Sequence, residues 1–379
     1  MISEVAVGTP DINAILIGTL IARLKLAERR IAQHLRIDCA RPKEELITLV
    51  SSVLPELALA LSDTRMCVDM TDKIKRWHDT GVTASVLGQP GYPAILSTIA
   101  DPPWVLWHRG TIPDAIVSAA LHDLCAIAIV GSRDCDREGY DFALECGRNL
   151  AACGVVVISG LALGIDTAAH HGALEAAVEC PTIAVLGGGL NRLYPAANRN
   201  LAQEIETRGG AVISQYEPDA PTFPSQFLDR NRVISGLAAA TVVVQASARS
   251  GALATARYAC ESGREVMAVP GSVNNRRYAG NHRLIRDGAH LVTCAGDIIE
   301  LLPQFATLAN HQATRSPEFE SEPISALQQQ LVKFLGTDGA QHMDLIQARF
   351  SNLELPGALL DLELKGLVRR TPGNYLEVV

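Results

Sequence analysis

The chain has 379 residues, 48% of them hydrophobic and 20% charged, which suits a folded protein of two or three domains and excludes disorder as its main state. A formal net charge of −8 argues against general polyanion binding, although the distribution of charge matters more than its sum. Nine scattered cysteines with no C-x-x-C pair indicate neither a zinc site nor a disulfide framework, and no apolar run reaches the ~18 residues of a membrane span.

The start, MISEVAVGTPDINAILIGTL, carries Glu4 and Asp11 and lacks the basic lead of a signal peptide. Residues 1–80 read as an apolar helical accessory domain without evident chemistry. Its strongest run, 46–62, is interrupted by Pro55, which breaks the helix or starts a second one. From Gly88 the chain turns rich in Pro, Gly and aromatics. Pro102-Pro103 leading into Trp104-Val105-Leu106-Trp107 reads as a rigid turn and a short edge strand.

Between residues 124 and 299, short β-rich runs alternate with helical segments, at 126–130, 155–158, 182–186, 211–214, 241–245, 265–269 and 289–293. This alternation predicts an α/β fold with a Rossmann-like, doubly wound, mostly parallel sheet, within a domain spanning 81–305. Ligands of such sheets bind beyond the carboxyl ends of the strands. The post-strand turns there are Gly131-Ser132-Arg133, Ser159-Gly160-Leu161, Gly187-Gly188-Gly189, 246–251 and Pro270-Gly271-Ser272, and they should converge on one rim.

Residues 306–322 read as a linker by composition. The segment 323–379 that follows offers helices at 327–335, 343–350 and 356–365, then a hairpin across Pro372-Gly373-Asn374. Three helices and a hairpin predict a C-terminal winged helix. It is not notably basic, so DNA contact and protein contact are both open for it.

Charge is concentrated in one stretch. Between Phe223 and Arg286 lie nine arginines against three acids, a net +6, which points to a local anion site. Within it, Phe227-Leu228-Asp229-Arg230-Asn231-Arg232 sets an aromatic ring near two guanidiniums at a helix start. Arginines hold phosphates bidentately, and an aromatic ring stacks on an unpaired base. The plain alternative is Phe227 in the core and Arg230 in a salt bridge. In SGLALGID, the glycines allow close backbone approach, and Asp166 is placed to cap free N–H groups. Catalytic signals are weak. His170 and His171 are adjacent on a helix and face different ways, no P-loop or G-x-S-x-G elbow occurs, and no cysteine has an evident activating partner.

The pieces IVGSR, SGLALGIDTAAHHGAL, TIAVLGGGLNRLYPAANRNL, FLDRNRVISGL, SGALATARYACESGREVMAVPG and LIRDGA resemble, in order, the DNA-processing protein A family, also called DprA or Smf. The tail LLDLELKGLVRRTPGNYLEV is similar to that family's winged helix. The resemblance implies a single-stranded DNA-binding protein without catalytic activity, usually a homodimer; no cofactor is expected, and the scattered cysteines fit a reducing, cytoplasmic compartment. Such a protein protects incoming DNA and loads the recombinase RecA during natural transformation. By position, Arg133, Arg230 and Arg232 would contact phosphate and Phe227 would stack a base. Asn231 belongs to the same motif, and Gly131, Ser132, Ser159, Gly160, Gly251 and Gly271 would supply backbone room or N–H donors.

The chain departs from the family pattern in several places. Leu163 stands where arginine is usual, and Gln215 and Gln245 where glutamate is usual. Asn281-His282 replaces a small residue followed by asparagine, and only Pro224-Ser225-Gln226 precedes Phe227, with no basic residue. These exchanges suggest neutral groups replacing charges within one polar network. Two other functions are compatible with the fold: a nucleotide-hydrolysing enzyme of the lysine-decarboxylase-like phosphoribohydrolase type, and a small-nucleotide sensor signalling through the winged helix. The former lacks its P-G-G-x-G-T-x-x-E motif here.

Overall fold

The apolar runs of the middle of the chain become seven parallel strands, β3 (Ala126–Val130), β4 (Val156–Ser159), β5 (Thr182–Leu186), β6 (Ala211–Ser214), β7 (Ala240–Val243), β8 (Glu265–Ala268) and β9 (His290–Leu291). The computed structural model describes residues 11–302, 305, 325–338, 340–350, 355–364, 367–371 and 373–378. The predicted linker and the first ten residues lie outside these. The chain divides into two compact units, Met1–Ala313 and Thr314–Val379.

The first unit holds a nine-stranded sheet in the order β1-β2-β6-β5-β4-β3-β7-β8-β9. Strands β1 (Thr83–Val86) and β2 (Val105–Gly110) are antiparallel to each other, and β2 is antiparallel to β6. The Trp104–Trp107 segment, expected at the sheet's edge, therefore lies one strand in from it. The less apolar TASV strand covers it. Strands β3 to β6 step outward in one direction, and β7 returns to the other side of β3. That reversal opens a crevice at the carboxyl ends of β3 and β7, where a doubly wound sheet binds ligands.

Alternating side chains divide the sheet's two faces. Ile127 and Ile129 of β3 pack with α7 (Arg137–Ala152), α8 (Ile165–Glu175) and α13 (Ala295–Leu301). Ala126, Ala128 and Val130 face the opposite layer, which contains α10 (Pro224–Gly236) and α11 (Ala252–Glu261). Both faces are dry, which is why the strands read as continuous apolar runs. Helix α7 is capped by Asp136, whose carboxylate accepts from Gly139 N at 2.9 Å, and it ends at Gly154 with φ 81°.

Five N-terminal helices, α1 (Ile12–Ala22), α2 (Leu26–His34), α3 (Lys43–Val50), α4 (Pro55–Ser62) and α5 (Thr64–Asp79), share one core with β1, β2 and α9 (Arg199–Thr207). Pro55 starts α4 at its first turn, where its missing N–H has no helical partner to lose. The short α6 (Asp114–Val117) and α12 (Ala279–Arg286) complete this unit.

The second unit is the predicted winged helix. It has helices Ala326–Asp338, Met343–Arg349 and Leu355–Leu364, and a sheet in the order β10 (Gln341–His342), β12 (Tyr375–Val378), β11 (Val368–Thr371). Its core is built on Leu331, Leu335, Ile346, Leu359, Leu362 and Leu376. No described helix of the chain is long and apolar enough to cross a membrane.

Candidate nucleic-acid interface

A cavity of about 620 Å³ opens at the crevice, lined by residues from the loops after β3, β4, β5, β6 and β7. The predicted residues Gly131, Ser132, Arg133, Phe227, Arg230, Asn231 and Gly251 all line it. Ser159, Gly160, Arg232 and Gly271 do not, though the first two lie just beneath its floor.

The loop carrying Arg133 is fastened on both sides. Ser132 N donates to Gln245 O at 2.8 Å, and Ile165 N donates to Ser132 O at 3.2 Å. From this loop the Arg133 guanidinium reaches the Phe227 ring, 4.6 Å from its centroid, in a cation–π contact. Gly187 also lies close against that ring, where an added Cβ would come within 2.7 Å of Phe227 Cδ1. The ring of Tyr194 leans on Phe227 with centroids 5.8 Å apart. Phe227 is half-buried, whereas Tyr194 is 54% exposed, so Tyr194 offers the accessible aromatic face.

The floor holds a buried charge pair. Arg230 is only 3% exposed, and its Nη1 donates to Gly160 O at 2.7 Å and to Val185 O. Burial lowers its pKa to about 10, opposed by the nearby Asp166 carboxylate. Asp166 Oδ2 accepts from Gly160 N at 3.2 Å and Ala162 N at 3.3 Å, so it caps the loop before α8 rather than the helix's own first turn. Burial raises the Asp166 pKa, and Arg230 works against that rise. Gly160 is required here, because a Cβ would stand 2.7 Å from Arg230 Cζ. Ser159 spends its hydroxyl on Ile129 O at 2.6 Å, fixing β4 to β3. Asn231 donates to Gly251 O at 3.2 Å, tying α10 to the start of α11.

Arg232 points away from the cavity. Its guanidinium donates to Asp101 O and, at 2.6 Å, to Gln215 Oε1, and it shares the Asp101 carboxylate with Arg29. Gly271 lies against the Tyr278 ring, and its carbonyl oxygen faces His282 Nε2 at 2.9 Å. Of the nine clustered arginines, Arg257, Arg277 and Arg283 sit in surface ion pairs, and Arg264 bonds the carbonyls of Ser262 and Ile95. The arginines that line the cavity are Arg133 at the rim and Arg230 below.

Two of the departures from the family pattern bond to different partners. Gln215 accepts from Arg232, while Gln245 Oε1 accepts from Asp136 N at 3.0 Å. Leu163 is exposed on the loop before α8. Asn281 is a keystone: its Oδ1 accepts from Ala246 N at 2.7 Å and its Nδ2 faces the carbonyls of Val243, Val244 and Val269. Sequence reasoning missed Tyr194, Thr222 and Leu228 in the lining, whereas Ser247 and Ser250 belong to the 246–251 turn expected at the rim. In the sequence Tyr194 stands inside the piece TIAVLGGGLNRLYPAANRNL, with no role assigned to it. A bulky aromatic in the turn after a strand was the available signal.

The family model for DNA recombination-mediator protein A matches residues 83–303, and that for the DprA winged helix domain matches residues 315–374. Protein Smf of Escherichia coli K12 is 37% identical over 294 residues, covering 76% of this chain and 75% of that protein. DNA processing protein DprA of Streptococcus pneumoniae R6 is 39% identical over 208 residues, covering 55% of this chain and 70% of that protein. The X-ray structure of DprA from Streptococcus pneumoniae superposes with a TM-score of 0.62 at 28% identity, over 78% of this chain and 99% of that one. With a matching model across more than half its length and relatives of this identity, the chain belongs to the DNA recombination-mediator protein A (DprA/Smf) family.

Proposed function

We propose that this protein binds single-stranded DNA in the cavity at the β3–β7 crevice, as a binding protein rather than an enzyme. The observation that carries the reading is the Arg133 guanidinium stacked on Phe227 beside the exposed ring of Tyr194. A phosphate meets Arg133 and the start of α11 at Gly251 and Ala252, where the positive end of the helix dipole favours an anion. An unpaired base lies against Tyr194, whose face tolerates any base. A duplex keeps its bases stacked inside and gains only the phosphate contact.

Family membership supports a finer role within the same proposal. Bound single strands are protected and passed to the RecA recombinase, in natural transformation or recombination, by a homodimer. A cytoplasmic location belongs to the same proposal and agrees with nine cysteines that form no disulfide among the described residues. The binding reading is supported by how the cavity's buried groups are used: Asp166 and Arg230 are committed to backbone partners and to each other's charge.

The test is a salt-series titration of the full-length protein with labelled oligo(dT), a duplex of the same length and thymidine monophosphate. Binding that favours the single strand and weakens steeply with salt is expected. Equal affinity for duplex, or tight binding of the mononucleotide with release of free base, would overturn the reading in favour of a nucleotide-processing enzyme.

A further inference from the structure

Three polar tethers run from the N-terminal helices to the segments that carry the cavity's aromatic residues. Trp77 of α5 is 5% exposed, and its indole N–H donates to Asp219 Oδ2 at 2.7 Å. The other oxygen, Asp219 Oδ1, accepts from Asn191 Nδ2 at 2.7 Å, and Asn191 Oδ1 accepts from Arg109 Nη2 at 2.7 Å. Arg23 of α1 grips Glu217 with two bonds of 2.6 and 2.8 Å. Arg29 of α2 meets Asp101, which also holds Arg232 of α10.

The loops after β5 and β6 are themselves locked together. Asn191 N donates to Pro218 O at 2.8 Å and Gly189 N to Ala220 O at 3.2 Å. Gly189 leaves no side chain between them, since a Cβ there would press on Glu217 O and Ala220 N within 2.6 and 2.7 Å. The first loop runs on to Tyr194, and the second runs into α10 and Phe227. A helical region that served only to cover the sheet would need apolar contacts, which it has. Bonding a buried indole N–H to an acid of a cavity-bearing loop is a separate feature.

We propose that the N-terminal helices set the aromatic wall of the cavity, with Asp219 as the positioning residue that joins Trp77 to the paired loops bearing Tyr194 and Phe227. This rests on the cavity being the nucleic-acid site. A nucleotide wedged against Tyr194 moves the loop pair, and the displacement reaches Trp77 through Asp219. Weakening the link leaves the cavity present but its wall loosely held.

The experiment labels the full chain with 5-fluorotryptophan and follows its three tryptophan signals by fluorine NMR during titration with oligo(dT). Trp77→Phe assigns one resonance, and Trp104, outside this chain of bonds, is the internal control. The Trp77 signal is expected to shift and saturate with binding while Trp104 stays put. In Asn191→Asp two carboxylates face each other, and affinity should fall on the order of three- to tenfold, since tenfold is only about 1.4 kcal/mol. Adding Asp219→Asn restores every bond, with donor and acceptor exchanged only between positions 191 and 219. The introduced amide accepts from Trp77 and donates to the introduced carboxylate, which in turn accepts from Arg109. The double variant should regain both affinity and the Trp77 shift.

Binding with an unmoved Trp77 signal overturns the proposal and leaves the cavity as the binding site. So does an Asn191→Asp variant that binds like wild type, or a double variant no better than the single. Absence of oligonucleotide binding at low salt removes both the site and the relay.

Discussion

Nη1 of Arg230 donates to the carbonyl oxygen of Gly160 at 2.7 Å, joining α10 to the turn after β4 beneath the cavity floor. The same nitrogen also reaches Val185 O. Arg230 is therefore a structural member of the site as much as an electrostatic one, and Arg133 is its solvent-side counterpart.

These two arginines should separate in mutagenesis. Arg230→Ala leaves the carbonyls of Gly160 and Val185 without their donor and Asp166 without its neutralising charge, and should cost about 2–4 kcal/mol of stability. Arg133→Ala removes an exposed group and should leave the melting temperature nearly unchanged. It should weaken oligonucleotide binding at every salt concentration and reduce the slope of log affinity against log salt by about 0.7, the value for one single-strand phosphate contact. Thermal scans and anisotropy titrations of both variants check this. An Arg230→Ala protein as stable as wild type would contradict the role given to that side chain.

The aromatic pair gives a second contrast. Tyr194→Ala should lower affinity for oligo(dT) by the ~1–3 kcal/mol of one stacked base, while Tyr194→Phe keeps the ring and should bind normally. Phe227→Ala takes away the surface on which both Arg133 and Tyr194 rest and opens a hole above Gly187, so it should lower stability as well as affinity. If Tyr194→Ala binds like wild type, the exposed ring is not the stacking platform.

The parallel core was legible because strands buried on both faces, such as AIAIV at Ala126–Val130, leave a continuous apolar mark. The meeting of Arg133 with Phe227 was not, because it depends on strand order: only the return of β7 beside β3 brings α10 over the loop after β3. The family resemblance implies phosphate contacts for both Arg230 and Arg232. Two residues on a helix point about 200° apart, so both cannot face one cavity, and only Arg230 does. Strand β1 is not legible in the sequence because four residues, TASV, carry little hydrophobic signal. Asn281 sits in a polar helix with nothing in its neighbourhood to announce its burial.

That asparagine supports a third prediction. Asn281 Nδ2 lies 2.8, 3.1 and 3.0 Å from the carbonyls of Val243, Val244 and Val269. Asn281→Asp turns this donor into a carboxyl oxygen facing three acceptors, which favours the protonated acid in the fold. Its folded pKa should lie above the unfolded value of about 3.9, so stability falls as pH rises above ~4, by up to about 1.4 kcal/mol per unit. Urea midpoints from pH 4 to 8 should decline relative to wild type. A constant gap across that range would show that the carboxylate finds another donor.

His170 supplies the acid-side counterpart in the unaltered protein. It is fully buried in α8, with Nδ1 2.7 Å from Thr182 Oγ1, and that hydroxyl donates to Val157 O at 2.6 Å. The hydroxyl proton is thus committed, so Nδ1 must carry the proton it gives to Thr182, leaving Nε2 bare and without a partner among the described residues. Protonating Nε2 would place a charge in the dry core, and burial lowers the His170 pKa from 6.5 to about 3. Below about pH 6.5 the unfolded chain takes up a proton that the native state refuses. The stabilisation is complete above the unfolded value and is lost as pH falls toward the folded one, at up to about 1.4 kcal/mol per unit. His170→Asn keeps a donor for Thr182 but does not titrate, and it should be less stable than wild type at pH 7.5 because it leaves a cavity. That deficit should shrink steadily as pH is lowered to 4.5 in denaturant titrations. Parallel stability curves for the two proteins would mean that His170 is protonated in the native state, and the tautomer assigned here would be wrong.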